Sequence, residues 1–99
     1  YEHVFVKQLE GRIQTGDVAI GFSASGNSPN VLRAIEYAAQ QGCTTIGFTA
    51  FDGGALRETV DIPVHVPTEV GEYGPAEDAH LALEHMLTSY LQHRLREST

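Results

Sequence analysis

The chain has 99 residues, with thirteen acidic against six basic side chains, a net charge of -7 and 41% hydrophobic content. Those values fit one small globular domain or a piece of one. They exclude a disordered segment and a sequence-independent nucleic-acid surface, which needs clustered Lys and Arg. No apolar run approaches the roughly 18 residues of a membrane span and nothing reads as a signal peptide, so a cytoplasmic location with neither a membrane nor a nucleic-acid partner is expected.

The chain starts at Tyr1 and its only methionine is Met86, so the expectation is a fragment, or the ordered remainder of something longer. Val4 to Ile13 carries Phe5, Leu9 and Ile13 at helical spacing until Thr15-Gly16-Asp17 breaks the pattern. Asp17 to Phe22 is a short apolar run between turn signals, which reads as a buried strand. Ser28 suits an N-cap and Pro29 the first helical position. Val31, Ala34, Ile35 and Ala38 then make one face until Gly42 stops the helix. The lone Cys43 excludes an internal disulfide or a multi-cysteine metal site and reads as a small buried residue.

Thr44 to Thr49 is β-branched and apolar, Asp52-Gly53-Gly54 is a turn, Ala55 to Thr59 a short helix and Ile62 to Val66 a third strand. After the polar loop Thr68 to Gly74, a long helix begins at Pro75 and runs to about Arg96. Its expected core face is Ala79, Leu83, Met86, Leu87, Tyr90 and Leu91. Strands alternating with helices predict an α/β fold, a parallel sheet covered on both faces, with ligands outside the carboxyl ends of the strands.

One such end carries "GFSASGNSPNVL", residues 21–32, which sets serines, an asparagine and glycines between a strand and a capped helix. Small polar turns of this kind aim hydroxyls and unpaired N–H groups at one point before a helix N-terminus, an arrangement suited to an anion. Neither the G-x-x-x-x-G-K-[ST] nor the G-x-G-x-x-G pattern is present, so no nucleotide cofactor is expected. Residues 17–32 hold no Lys or Arg, which leaves a neutral cradle of Ser23, Ser25, Ser28 and backbone amides. Taken alone, the same residues also make an ordinary turn and cap.

The segment "GDVAIGFSASGNSPNVLRAIEYAAQQGCTTIGFTAFDGG" resembles the core of the SIS (sugar isomerase) domain, and within it the phosphoheptose isomerase group. The likeness runs from about Tyr1 to Tyr90 and is most specific over Ser23 to Val31, with Ala24 standing where threonine is frequent. It implies a flavodoxin-like three-layer αβα sandwich, present here as a partial single domain of about three strands. It also implies that Ser23, Ser25, Gly26, Asn27 and Ser28 grip the phosphate of a phosphorylated sugar. In the second matching segment, Thr49 to Gly54, Asp52 either faces the sugar or, the favoured role, caps the helix that follows.

On the last helix the resemblance places Glu77 and His85 where phosphoheptose isomerases bind zinc and transfer protons, so His85 is the expected catalytic group and Glu77 and His85 the expected metal ligands. Eight residues set their side chains about 80° apart around the axis, so both can border one cleft, whereas His80 lies about 60° to the other side of Glu77. The implied reaction is aldose–ketose isomerisation of sedoheptulose 7-phosphate through an enediol. The family's Gly-rich first loop and its helix with a catalytic glutamate do not precede Tyr1. An isolated 99-residue chain is therefore expected to be inactive, and the intact protein to be a homotetramer. The rival expectation is a non-catalytic SIS protein, a sugar-phosphate sensor or a replication-initiator-binding protein.

Overall fold

In the computed structural model, which describes residues 4–98, the three apolar runs form one parallel sheet of β1 (Val18–Ser23), β2 (Thr44–Thr49) and β3 (Ile62–His65), in that order. The helices are α1 (Val4–Leu9), α2 (Pro29–Gln40), α3 (Gly54–Thr59) and α4 (Tyr73–Ser98). Each strand is joined to the next by a helix, as parallel neighbours require.

Two facing glycines show how the helices are layered. Gly21 and Gly47 are partners across β1 and β2. A side chain added at Gly21 would meet Val31 and Ile35 of α2, and one added at Gly47 would meet Leu56 of α3 and Val60. Both helices therefore cover the same face, where Ile35, Leu56 and Val60 form a buried cluster joined by Ala19, Val31 and Leu32. The start of α4 covers the other face, packing His80 edge-on against Phe48 and Phe22. The result is the expected α/β arrangement of three layers.

The α2 stop is a Schellman turn: Gly42 has φ 83°, its N–H reaches the Ala39 carbonyl, and the Cys43 N–H reaches that of Ala38. Cys43 is buried as expected, with its thiol against the Gln14 carbonyl. Helix α1 ends at Leu9 rather than Ile13, because the chain turns at Gly11 with φ 78°. Helix α4 starts at Tyr73 rather than Pro75, since a proline in the first turn lacks only an N–H that has no partner there.

The expected core face of α4 needs correction. Ala79, Leu83 and Leu87 are partly buried, but Met86 is 67% exposed, and Tyr90 and Leu91 also face outward. The fully covered residues are Ala76 and His80 at its start. Length explains this. A 26-residue helix spans about 39 Å, while a six-residue strand spans about 20 Å, so most of α4 has no sheet beneath it. No helix among the described residues is long and apolar enough to cross a membrane.

Candidate functional site

At the carboxyl end of β1 the chain makes a tight loop braced by its own hydroxyls. Ser23 Oγ accepts from the Gly26 N–H at 3.0 Å and lies 3.0 Å from Ser28 Oγ, and Ser25 Oγ accepts from the Asn27 N–H at 3.2 Å. Ser28 occupies the N-cap of α2 with extended backbone, yet its side chain makes no capping bond. The expectation of a serine cap is met in position and not in bonding, because the hydroxyl turns inward to Ser23. Ser23 is buried, whereas Ser25 and Ser28 are partly open.

The loop rests on the turn after β2. The Ala50 N–H bonds the Ala24 carbonyl at 2.9 Å, the Leu56 N–H bonds the Gly26 carbonyl at 2.9 Å, and the Ala55 N–H bonds Asn27 Oδ1 at 3.0 Å. Asn27 thus ties the loop to α3 through its acceptor oxygen. Contact is so close that Gly26, with φ 73°, could carry no side chain without striking the Gly53 carbonyl, and a Cβ at Gly54 would meet Asn27 Oδ1 at 2.7 Å. Asp52 Oδ1 accepts from the Gly54 N–H at 3.1 Å, bracing the start of α3, while the residue stays exposed.

Ser23, Thr49 and His65 are register partners across the three strands and stand in one row on the sheet. Thr49 is fully buried. Its Oγ1 lies 2.9 Å from His65 Nδ1, and its carbonyl accepts from the Val66 N–H at 2.9 Å and from His80 Nε2 at 2.8 Å. Burial holds the His65 pKa below the ordinary histidine value, and the Arg57 charge adds to this. The Phe51 carbonyl and the Asp52 carboxylate pull the other way. Sequence reasoning missed Thr49, His65 and Arg57, since nothing but strand register and the fold-back of Arg57 over Gly53 brings them to this rim.

On α4, His80 is enclosed and bound to the Thr49 carbonyl, which makes it an anchor of the helix. Glu77 and His85 are both exposed. Zinc takes three or four protein donors. Among the described residues no group of three or more His, Cys, Asp or Glu side chains converges, so Glu77 and His85 do not complete a zinc centre on their own. An apolar cavity of about 480 Å³ lies along the free side of β1, lined by residues such as Phe5, Leu9, Ile20 and Ile35, and includes none of the loop residues 23–28.

The SIS domain profile matches residues 1–50. The chain is 40% identical over 95 residues to a phosphoheptose isomerase from Trichlorobacter lovleyi, covering 96% of this chain and 47% of that protein. It is 42% identical over 91 residues to one from Nitratiruptor, covering 92% and 48%. The solved phosphoheptose isomerase of Neisseria gonorrhoeae superposes with a TM-score of 0.79 at 33% identity, over 86% of this chain and 48% of that one. The chain thus spans about half the length of the relatives it matches. With a serine loop held between a parallel strand and a helix start, and a profile match over half its length, the chain belongs to the SIS domain family.

Proposed function

We propose that this chain is the phosphate-gripping part of a phosphoheptose isomerase that interconverts sedoheptulose 7-phosphate and a heptose 7-phosphate. The observation that carries this reading is the Ser28 side chain, which stands at the head of a 12-residue helix without capping it and pairs instead with the Ser23 hydroxyl. Orphan N–H groups at a helix start favour an anion, and a phosphate there is held by backbone amides with Ser25 and Ser28. Ser23 orients Ser28, Gly26 lets the loop lie flat on the next turn, and Asn27 fastens it to α3.

Isomerisation then needs a proton removed from the carbon beside the carbonyl, an enediol, and a proton returned to the neighbouring carbon. His85 is the acid or base we assign at the reacting end, since imidazole exchanges protons near neutral pH. Glu77 and His85 would be two donors to a zinc ion completed from elsewhere. The exposed apolar residues of α4, among them Leu81, Met86 and Leu95, suit packing between subunits of a homotetramer. The relatives named above are isomerases, and none favours a sensor.

Titration of the ¹⁵N-labelled chain with sedoheptulose 7-phosphate tests the site. The amides of Gly26 and Ser28 are expected to shift, and Ser25→Asp, which places a carboxylate against the phosphate, is expected to abolish the effect. Undiminished affinity in that variant would remove the reading.

A further inference from the structure

The rim of the sheet beyond the serine loop carries polar groups that phosphate binding leaves without a task. Arg57 lies one turn into α3, and its stem folds back toward the carboxyl end of the sheet. It occupies the space that a side chain at Gly53 would take, with its Cβ and Cγ 2.7 and 3.0 Å from that position. The double glycine therefore serves two neighbours, Gly54 admitting the serine loop and Gly53 admitting the arginine. Arg33, by contrast, is paired with Glu36 on the outer side of α2 at 3.3 Å, whereas Arg57 has no ion pair among the described residues. An arginine commonly lays its stem on the protein and leaves its head in water, so the exposed guanidinium of Arg57 is open to a ligand at this rim.

Two further groups face the same place. Asp52, at the tip of the turn, gives one carboxylate oxygen to the Gly54 N–H and is exposed. His65 lies within reach of the charges of both Arg57 and Asp52, and its Nδ1 is held by the Thr49 hydroxyl. A neutral imidazole, one cation and one anion leave this rim close to electrically neutral. Such a place does not suit a second phosphate, but a donor beside an acceptor suits the hydroxyls of a polyol. The span fits as well. Ser23 and His65 stand in one row on the outer strands of the sheet, two strand spacings apart, or about 9.6 Å. An extended seven-carbon chain with its phosphate in the serine loop is of that order of length.

We propose that Arg57, with Asp52 beside it, is a specificity-determining contact for the hydroxyls of the sugar chain whose phosphate occupies the serine loop. This rests on the phosphosugar reading above and adds to it the part of the molecule that selects the sugar. The guanidinium donates to hydroxyl oxygens, and the free oxygen of Asp52 accepts from a neighbouring hydroxyl.

The test compares two probes, sedoheptulose 7-phosphate and inorganic phosphate, on the chain and on Arg57→Met at about 0.15 M salt, where charges more than about 8 Å apart are screened. Methionine keeps the stem over Gly53 and removes only the guanidinium. Binding is read from the Gly26 and Ser28 amides. The expected result is a loss of roughly tenfold or more for the sugar phosphate, the effect of removing a charged donor, with inorganic phosphate affinity unchanged. Arg57→Lys, which keeps the charge but not the planar fork, should recover part of the loss. Equal affinity of wild type and Arg57→Met for the sugar phosphate would overturn the proposal, and so would a parallel loss for both probes. If neither probe moves the loop amides of the wild-type chain, the phosphosugar reading itself falls.

Discussion

At the residue scale, His65 has the clearest consequence for solution behaviour. Burial and the Arg57 charge together lower its pKa in the folded chain, so below the unfolded value of about 6.5 the unfolded chain binds the proton more readily than the folded one. Stability contributed by the neutral ring is therefore complete above that pH and is lost as pH falls through the window below it. Melting temperatures measured between pH 7.5 and 5.5 should fall more steeply for the wild-type chain than for His65→Gln, which has nothing to titrate. Identical slopes would show that the ring is as free to protonate as in the unfolded state. The same residue illustrates what a sequence conceals. His65 sits in "IPVHVP" as an unremarked strand residue, and it gains a role only because register places it beside Thr49.

Among the elements, α4 depends on its first turns. Ala76 packs with Ala50 and Phe51, Tyr73 meets the Phe51 ring edge-on at 5.1 Å, and His80 bonds the Thr49 carbonyl while standing perpendicular to Phe48. Replacing His80 with alanine removes both the ring packing and the hydrogen-bond donor, and is expected to cost about 2–4 kcal/mol. His80→Phe keeps the ring and loses only the hydrogen bond, so its cost should be near 1 kcal/mol, because Thr49 O still accepts from Val66. Urea unfolding midpoints of the two variants separate these contributions, and equal costs would mean that packing does not anchor the helix. Glu77 and His85 lie on the helix that this contact anchors.

For the whole molecule, apolar side chains are left open both on the sheet and along α4. Val18 is 57% exposed, Ile20, Phe22 and Ile62 are also uncovered on the face that α4 only partly shields, and among the described residues the outer edge of β1 has no neighbouring strand. Leu81, Met86, Tyr90, Leu91 and Leu95 add apolar surface along α4. An unpaired edge beside exposed apolar side chains is a template for association. Sedimentation at micromolar concentration is accordingly expected to show self-association that rises with concentration. A stable, cooperatively folding monomer would contradict this.

The alternation of apolar runs with punctuated helical stretches was enough to establish the class, the order of the strands and helices, and the serine loop, because periodicity, caps and turn residues are local properties. The Pro29 start and Gly42 stop of α2 are examples, and both lie where their chemistry requires. Which residues meet was decided elsewhere. Ser28 reads as a cap and is turned instead to Ser23, across the loop. Met86, Tyr90 and Leu91 read as core and are exposed, since helical spacing defines a face without saying what lies against it. The row Ser23–Thr49–His65 and the fold-back of Arg57 depend on strand register and on a glycine's missing side chain one turn away. Contacts of that kind join residues far apart in the chain, and only tertiary packing determines them.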